Sequence, residues 1–160
     1  ADATTVSSFD ALNVRAQIGY TLNAYVRVKG LVSLDLFSVG GRHFHVGETL
    51  GNVNVPKEVS DALLRQARNM PDAALWQGVG RNINPESRFG MVRTVVRAIR
   101  HFAPGAGTTD FVGVLVISLS DDIMQQFLQA TPLPIGQQLL LIDANNLIAL
   151  HSDARWIGKP

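Results

Sequence analysis

The chain contains no cysteine, which excludes disulfides, thiolate metal sites and a cysteine nucleophile. Long apolar runs are absent too. The longest, near Val112–Ile117, falls far short of the roughly 20 residues a bilayer-spanning helix needs, and no signal-peptide pattern is visible. A start at Ala1 rather than Met is expected of a processed product or an excised fragment. Net charge is nearly absent: 14 basic and 13 acidic residues leave +1, which offers no footprint for nucleic acid or an anionic membrane. Catalytic signatures are missing as well. There is no nucleophile elbow, no phosphate-cradling loop followed by lysine, and no paired-histidine zinc helix. Gly78-Val79-Gly80 and Gly105-Ala106-Gly107 are isolated glycine pairs, read as turns. The expectation is a protein that is not an enzyme and carries no cofactor.

What is present is an ordered, apolar composition: 46% hydrophobic and 17% charged residues in a chain of 160. That length predicts one domain, or one domain plus a fragment, with a core of its own. Ser7–Lys29 reads as one long helix. Its wide apolar stripe runs through Val14, Ile18, Leu22, Tyr25 and Val26, with Gly30 at the stop position. A hairpin follows over Leu31–Gly47, turning at Ser38-Val39-Gly40-Gly41. Pro56–Met70 reads as a second helix ended by Pro71, and Leu75–Val79 as a short strand. Met91–Phe102 is ambiguous. The spacing of Val92, Val95, Val96, Ile99 and Phe102 favours a helix, and the β-branched content favours a strand.

Phe111–Leu119 has almost no polar interruption, as expected of a central strand covered on both faces. Gly113 within it predicts close approach by another element. Ser120-Asp121-Asp122 reads as the cap of a helix running to about Ala130, and Thr131–Gly136 as a proline-bearing connector. Leu139–His151 is a second hairpin, in which Asn146 is expected to take the left-handed conformation that Gly41 takes in the first.

Three stretches resemble the Cache family of extracytoplasmic sensor domains, which have a PAS-like fold. Leu34-Asp35-Leu36-Phe37-Ser38-Val39-Gly40-Gly41 is similar to the family's first hairpin. Phe111-Val112-Gly113-Val114-Leu115-Val116-Ile117-Ser118-Leu119 resembles its last strand. Leu141–Ser152 with Ile157-Gly158-Lys159 resembles the opening of a further Cache subdomain, with Asn146 where the family usually has glycine. The acidic, aromatic and arginine set of the amino-acid-binding members is not visible as a set.

The resemblance implies an α+β, PAS-like antiparallel sheet in which Met91–Phe102 is a strand. It divides the chain into an N-terminal helix (1–30), a PAS-like sensor module (31–130), and a connector with the start of a membrane-proximal portion (131–160). It also implies a bacterial inner-membrane receptor with this part in the periplasm and a cytoplasmic output. Trp76-Gln77-Gly78 and Ile99-Arg100-His101 lean toward a diguanylate cyclase or histidine kinase output. The Ser7–Lys29 helix would pair with a second copy. The alternative is a free-standing periplasmic small-molecule binding protein or a dimerisation scaffold.

Candidate binding residues follow from that frame. Arg93 and Arg97 are four apart, so they share a face in a helix and in a strand. Two guanidinium groups on one face can fork a carboxylate or phosphate, which points to an anionic ligand. The plainer reading is a solvated arginine face. Trp76 would wall the pocket, or simply pack in the core. Asp110 would meet a ligand amine, or serve as a turn residue. His43 and His45 alternate on one strand face and would need a third donor, such as His101, to hold a metal. An exposed strand face is the plainer account, and no metal is expected.

Overall fold

The protein is described from a computed structural model covering residues 8–49, 53–70, 73–102, 109–123, 126, 130–132, 134–143 and 146–160. Helix α1 spans Ser8–Asn23 and α2 spans Lys57–Arg68. The strands are β1 (Leu31–Ser38), β2 (His43–Gly47), β3 (Ala74–Arg81), β4 (Met91–Phe102), β5 (Thr109–Leu119), β6 (Leu140–Ile142) and β7 (Ile148–His151). Five strands form one antiparallel sheet in the order β2-β1-β5-β4-β3, and β6 and β7 form a separate two-stranded sheet. The α+β class expected from the sequence is the class found.

Alternation along β5 sets the layers. Val114 and Val116 are fully buried against α2, together with Phe37, Leu63, Ala67, Val96 and Ala98. Leu115 and Ile117 point the other way, toward Ile18 and Leu22 of α1. The sheet is thus sandwiched between α2 on one face and α1 on the other. Helix α1 is shorter than the sequence predicts. After Asn23 the chain continues as tight turns (Tyr25 N–H to the Leu22 carbonyl, Val28 N–H to that of Tyr25) as far as Gly30, whose φ is +80°. Val14, Tyr25 and Val26 of the predicted stripe remain exposed, as do Leu12, Tyr20 and Val28.

Met91–Phe102 is a strand, against its helical spacing. The reason is burial: Val92 through Val96 are all buried, on alternating faces. A strand covered on both sides carries apolar residues at consecutive positions, and these fill a helical stripe as readily as a strand pattern. Two turn expectations hold in detail. Gly41 and Asn146 both have positive φ, at +76° and +60°. The expected helix from Ser120 to about Ala130 lies partly outside the described residues, and Pro71 and the Pro104–Gly107 turn lie wholly outside them.

Gly113 meets the close approach predicted for it. It pairs opposite Ser38, and a Cβ there would run into the Phe37 carbonyl oxygen. Backbone cannot retreat as a flexible side chain can, so Gly113→Ala should cost about 2 kcal/mol or more of folding free energy. Chemical denaturation of the variant checks this, and an unchanged midpoint would refute it.

Candidate functional site

On β1 the residues facing α2 are Ser33, Asp35 and Phe37. Opposite them on β2 stand Gly47, His45 and His43. Asp35 therefore lies beside two imidazoles, and it has no solvent exposure at all. A carboxylate so placed needs donors, and it has three. His43 Nε2 and His45 Nδ1 both lie 2.8 Å from Oδ1, and Ser33 Oγ donates to Oδ2 at 2.7 Å. The His43 ring stacks on Phe37 with centroids 4.4 Å apart. His45 Nε2 faces the Thr49 carbonyl at 3.3 Å. Both ring nitrogens of His45 thus face oxygen acceptors, a pattern that only the doubly protonated imidazolium satisfies in full.

The energetics agree with that geometry. Burial acts to raise the Asp35 carboxyl, but the hydrogen bonds from His43, His45 and Ser33 outweigh it and hold Asp35 below the usual carboxylate range. Burial acts to lower His45, but its bond to Asp35 and the Asp35 charge prevail and raise it. Thr49 is itself held from outside: the buried Asn84 donates to its hydroxyl at 3.0 Å, and Glu48 beside it takes bonds from Ser87 and Arg88. The loop between β3 and β4 thereby fixes the segment that carries the His45 acceptor. In front of His43, between the β1–β2 turn and α2, a groove of about 340 Å³ opens. Phe37, Val55 and Leu64 give it apolar walls, and Arg42 and Lys57 stand at its edge.

Arg93 and Arg97 share one face of the sheet, as their spacing requires, and Trp76 lies on it too, but it is the face opposite α2. Arg93 is buried. Its guanidinium forks onto Asp121 Oδ1 (Nε at 2.9 Å) and also donates to the Ala149 carbonyl of β7. The anion it meets is internal, and it ties the β6–β7 hairpin to the main sheet. Arg97 is exposed and has no hydrogen bond or ion pair among the described residues. Trp76 is 57% exposed, so it is not a core residue. Asp110 is not a turn residue but lies within β5, exposed and opposite His101. It sits five residues from the Arg97 row, roughly 16 Å along the strand. Asp110 and His101 are therefore remote from His43 and His45. The third donor beside the two histidines is Asp35. The signal for it is present in the sequence: a lone carboxylate in the apolar strand Leu31–Ser38, two residues from Phe37.

Neither a protein-family model nor a curated protein sequence matches the chain. Solved structures do match it. The ligand-binding domain of the Campylobacter jejuni chemoreceptor Tlp3 in complex with L-valine superposes with a TM-score of 0.63 at 15% identity, covering 94% of this chain and 55% of that one. The same receptor's domain with L-norvaline gives 0.58 over 94% and 54%, and its sensory domain 0.63 over 94% and 56%, both again at 15% identity. The chain shares the fold of these ligand-binding domains. It spans just over half the length of these chemoreceptor domains. No helix among the described residues is long and apolar enough to cross a membrane.

Two outcomes follow for this fold. Arg93→Ala strands Asp121 and frees the hairpin. Because Asp121 is partly exposed, the cost should be about 2 kcal/mol rather than the larger penalty of a fully buried pair; Arg97→Ala should stay within about 0.5 kcal/mol. Thermal unfolding of both variants measures the difference. For pH, a raised His45 contributes stability that is complete below its ordinary value of 6.5 and fades as pH rises through its folded value. A lowered Asp35 contributes stability present above 3.8 that fades in acid. With chelator present, the melting temperature should therefore decline on the alkaline side of 6.5 in the wild type, and His45→Gln should flatten that decline. An equal slope in both proteins would contradict the assignment.

Proposed function

We propose that the chain is the extracytoplasmic ligand-sensing input domain of a bacterial transmembrane receptor, and is not itself catalytic. One observation carries this reading: 94% of the chain follows the fold of a chemoreceptor's ligand-binding domain. Residues 31–130 are the sensor module. Residues 131–160 open a membrane-proximal portion, a reading supported by the apolar exposure of Leu140, Leu141 and Ile142 along β6. A histidine kinase or diguanylate cyclase output is favoured only by the sequence resemblance, since the structural neighbours are chemoreceptors. The exposed Leu12, Val14 and Tyr20 of α1 suit packing against a second copy.

The ligand is a small molecule bearing a carboxylate. We place it in the groove between the β1–β2 turn and α2, whose volume lies in the usual range for such sites. Arg42 and Lys57 supply cationic groups there, while Arg93 is committed to Asp121. The second reading keeps Trp76 and Arg97, both exposed on the opposite face, as the ligand face. A thermal-shift screen of amino acids and organic acids tests both. A true ligand at a hundredfold excess over its Kd should stabilise the domain by about 2.7 kcal/mol. Arg42→Ala should weaken the response at least tenfold and Arg97→Ala should leave it intact. The reverse pattern would move the site to the other face, and no response across the screen would count against a ligand-sensing role.

A further inference from the structure

Asp35, His43 and His45 bring one carboxylate oxygen and two imidazole nitrogens within 4.8 Å of one another. We propose that these three side chains form a binding site for a divalent transition-metal ion of the zinc class. The inference does not rest on the receptor reading.

The donors converge in a way that an ordinary ion pair does not require. A carboxylate offers two oxygens, and hydrogen-bond donors can spread over both. Here both histidines aim at Oδ1, and Ser33 occupies Oδ2. Oδ1 and the two ring nitrogens thus turn toward one another. Two imidazoles and one carboxylate are the ligands zinc takes in three-residue sites, with a remaining position left for water. Tetrahedral bonds of ordinary length place donor atoms roughly 3.3 Å apart. The 2.8 Å separations from Oδ1 and the spread of up to 4.8 Å among the three donors bracket that value, so ring rotation must widen the first and close the second.

The outer contacts are in place as well. A metal-bound histidine donates its other N–H to a fixed acceptor, and a ligating carboxylate is itself hydrogen-bonded. With Nδ1 of His45 on the ion, Nε2–H still donates to the Thr49 carbonyl. With Oδ1 of Asp35 on the ion, Oδ2 still accepts from Ser33. His43 is oriented by its stack on Phe37. One carboxylate and two neutral imidazoles leave a net negative site for a dication. Access exists, because His43 lies on the edge strand with its side chain 23% exposed, and it lines surface hollows on either side of β2.

The test uses the whole chain, free of any histidine tag and stripped with a chelator. Zinc chloride is titrated by calorimetry, and the histidine ring nitrogens are followed by NMR. One equivalent should bind, shifting His43 and His45 but not His101 or His151. His43→Gln and His45→Gln should each weaken binding at least tenfold, and His101→Gln should not. His43 is partly exposed, so its variant should fold, and the ring shifts in the unmutated chain need no variant at all. Absence of saturable binding up to ~100 µM zinc would overturn the proposal. So would affinity that survives both substitutions, or shifts confined to His101 and His151.

Discussion

Everything in this fold answers to one constraint: strand β5 must be paired on both edges and covered on both faces. Its interior carries Val112 to Ile117 without a polar side chain, and such a strand leaves apolar surface in water wherever it lacks cover. β1 and β4 pair with its two edges. Its alternating side chains then dictate two separate cores, one under α2 and one under α1. Gly113 marks a close approach, since the β1 backbone occupies the space a side chain would need. β2 and β3 are left as the sheet edges, and edge strands are where side chains can meet solvent and ligands. That position is what exposes His43 while its neighbour Asp35 stays buried.

Two charged residues are buried in this sheet, one on each face. Asp35 faces α2 and draws in His43, His45 and Ser33; Arg93 faces the opposite way and draws in Asp121 and the β7 backbone. In each case a charge that is costly to desolvate is matched by polar partners, within ten residues for Asp35 and 28 and 56 residues away for Arg93. The consequence is specificity of arrangement. Asp35 fixes β2 against β1 in the register that stacks His43 on Phe37. Arg93 fixes where the β6–β7 hairpin docks. The hairpin's other anchor is Leu150, fully buried beside it. Neither arrangement follows from hydrophobic patterning alone, which would accept any apolar residue at 35 or 93.

That distinction marks what could be read from the chain unaided. Element types for the hairpins, α2 and β5 were legible because local chemistry decides them: Gly41 and Asn146 for the turns, and the unbroken apolar run for the central strand. β4 was not decided by its own pattern, because burial on both faces erases the period that separates strand from helix. The family resemblance resolved it correctly. The shared face of Arg93 and Arg97 was legible from spacing. Arg93's partner was not, since Asp121 lies 28 positions away and its role as a plain helix cap was the local reading. His43 and His45 were visible as a pair. Their partner Asp35 was present as the one carboxylate in an apolar strand, but only the β1–β2 register places it between them.

A likeness at 15% identity carries the backbone and not the chemistry of the site, so the ligand must be argued from this chain's own side chains. His43 is the residue shared between the Asp35 cluster and the groove beside α2. An ion held by that cluster would stand in the wall of the groove, as the largest local charge there. Arg42 and Lys57 lie at the same groove, and Lys57 is partly offset by Asp61 at 2.7 Å. A dication would therefore add to a field already positive at that end and strengthen the hold on a carboxylate. The two sites are then electrostatically linked through one side chain: whatever fills the Asp35 cluster, proton or metal, sets the charge that a groove ligand meets at His43.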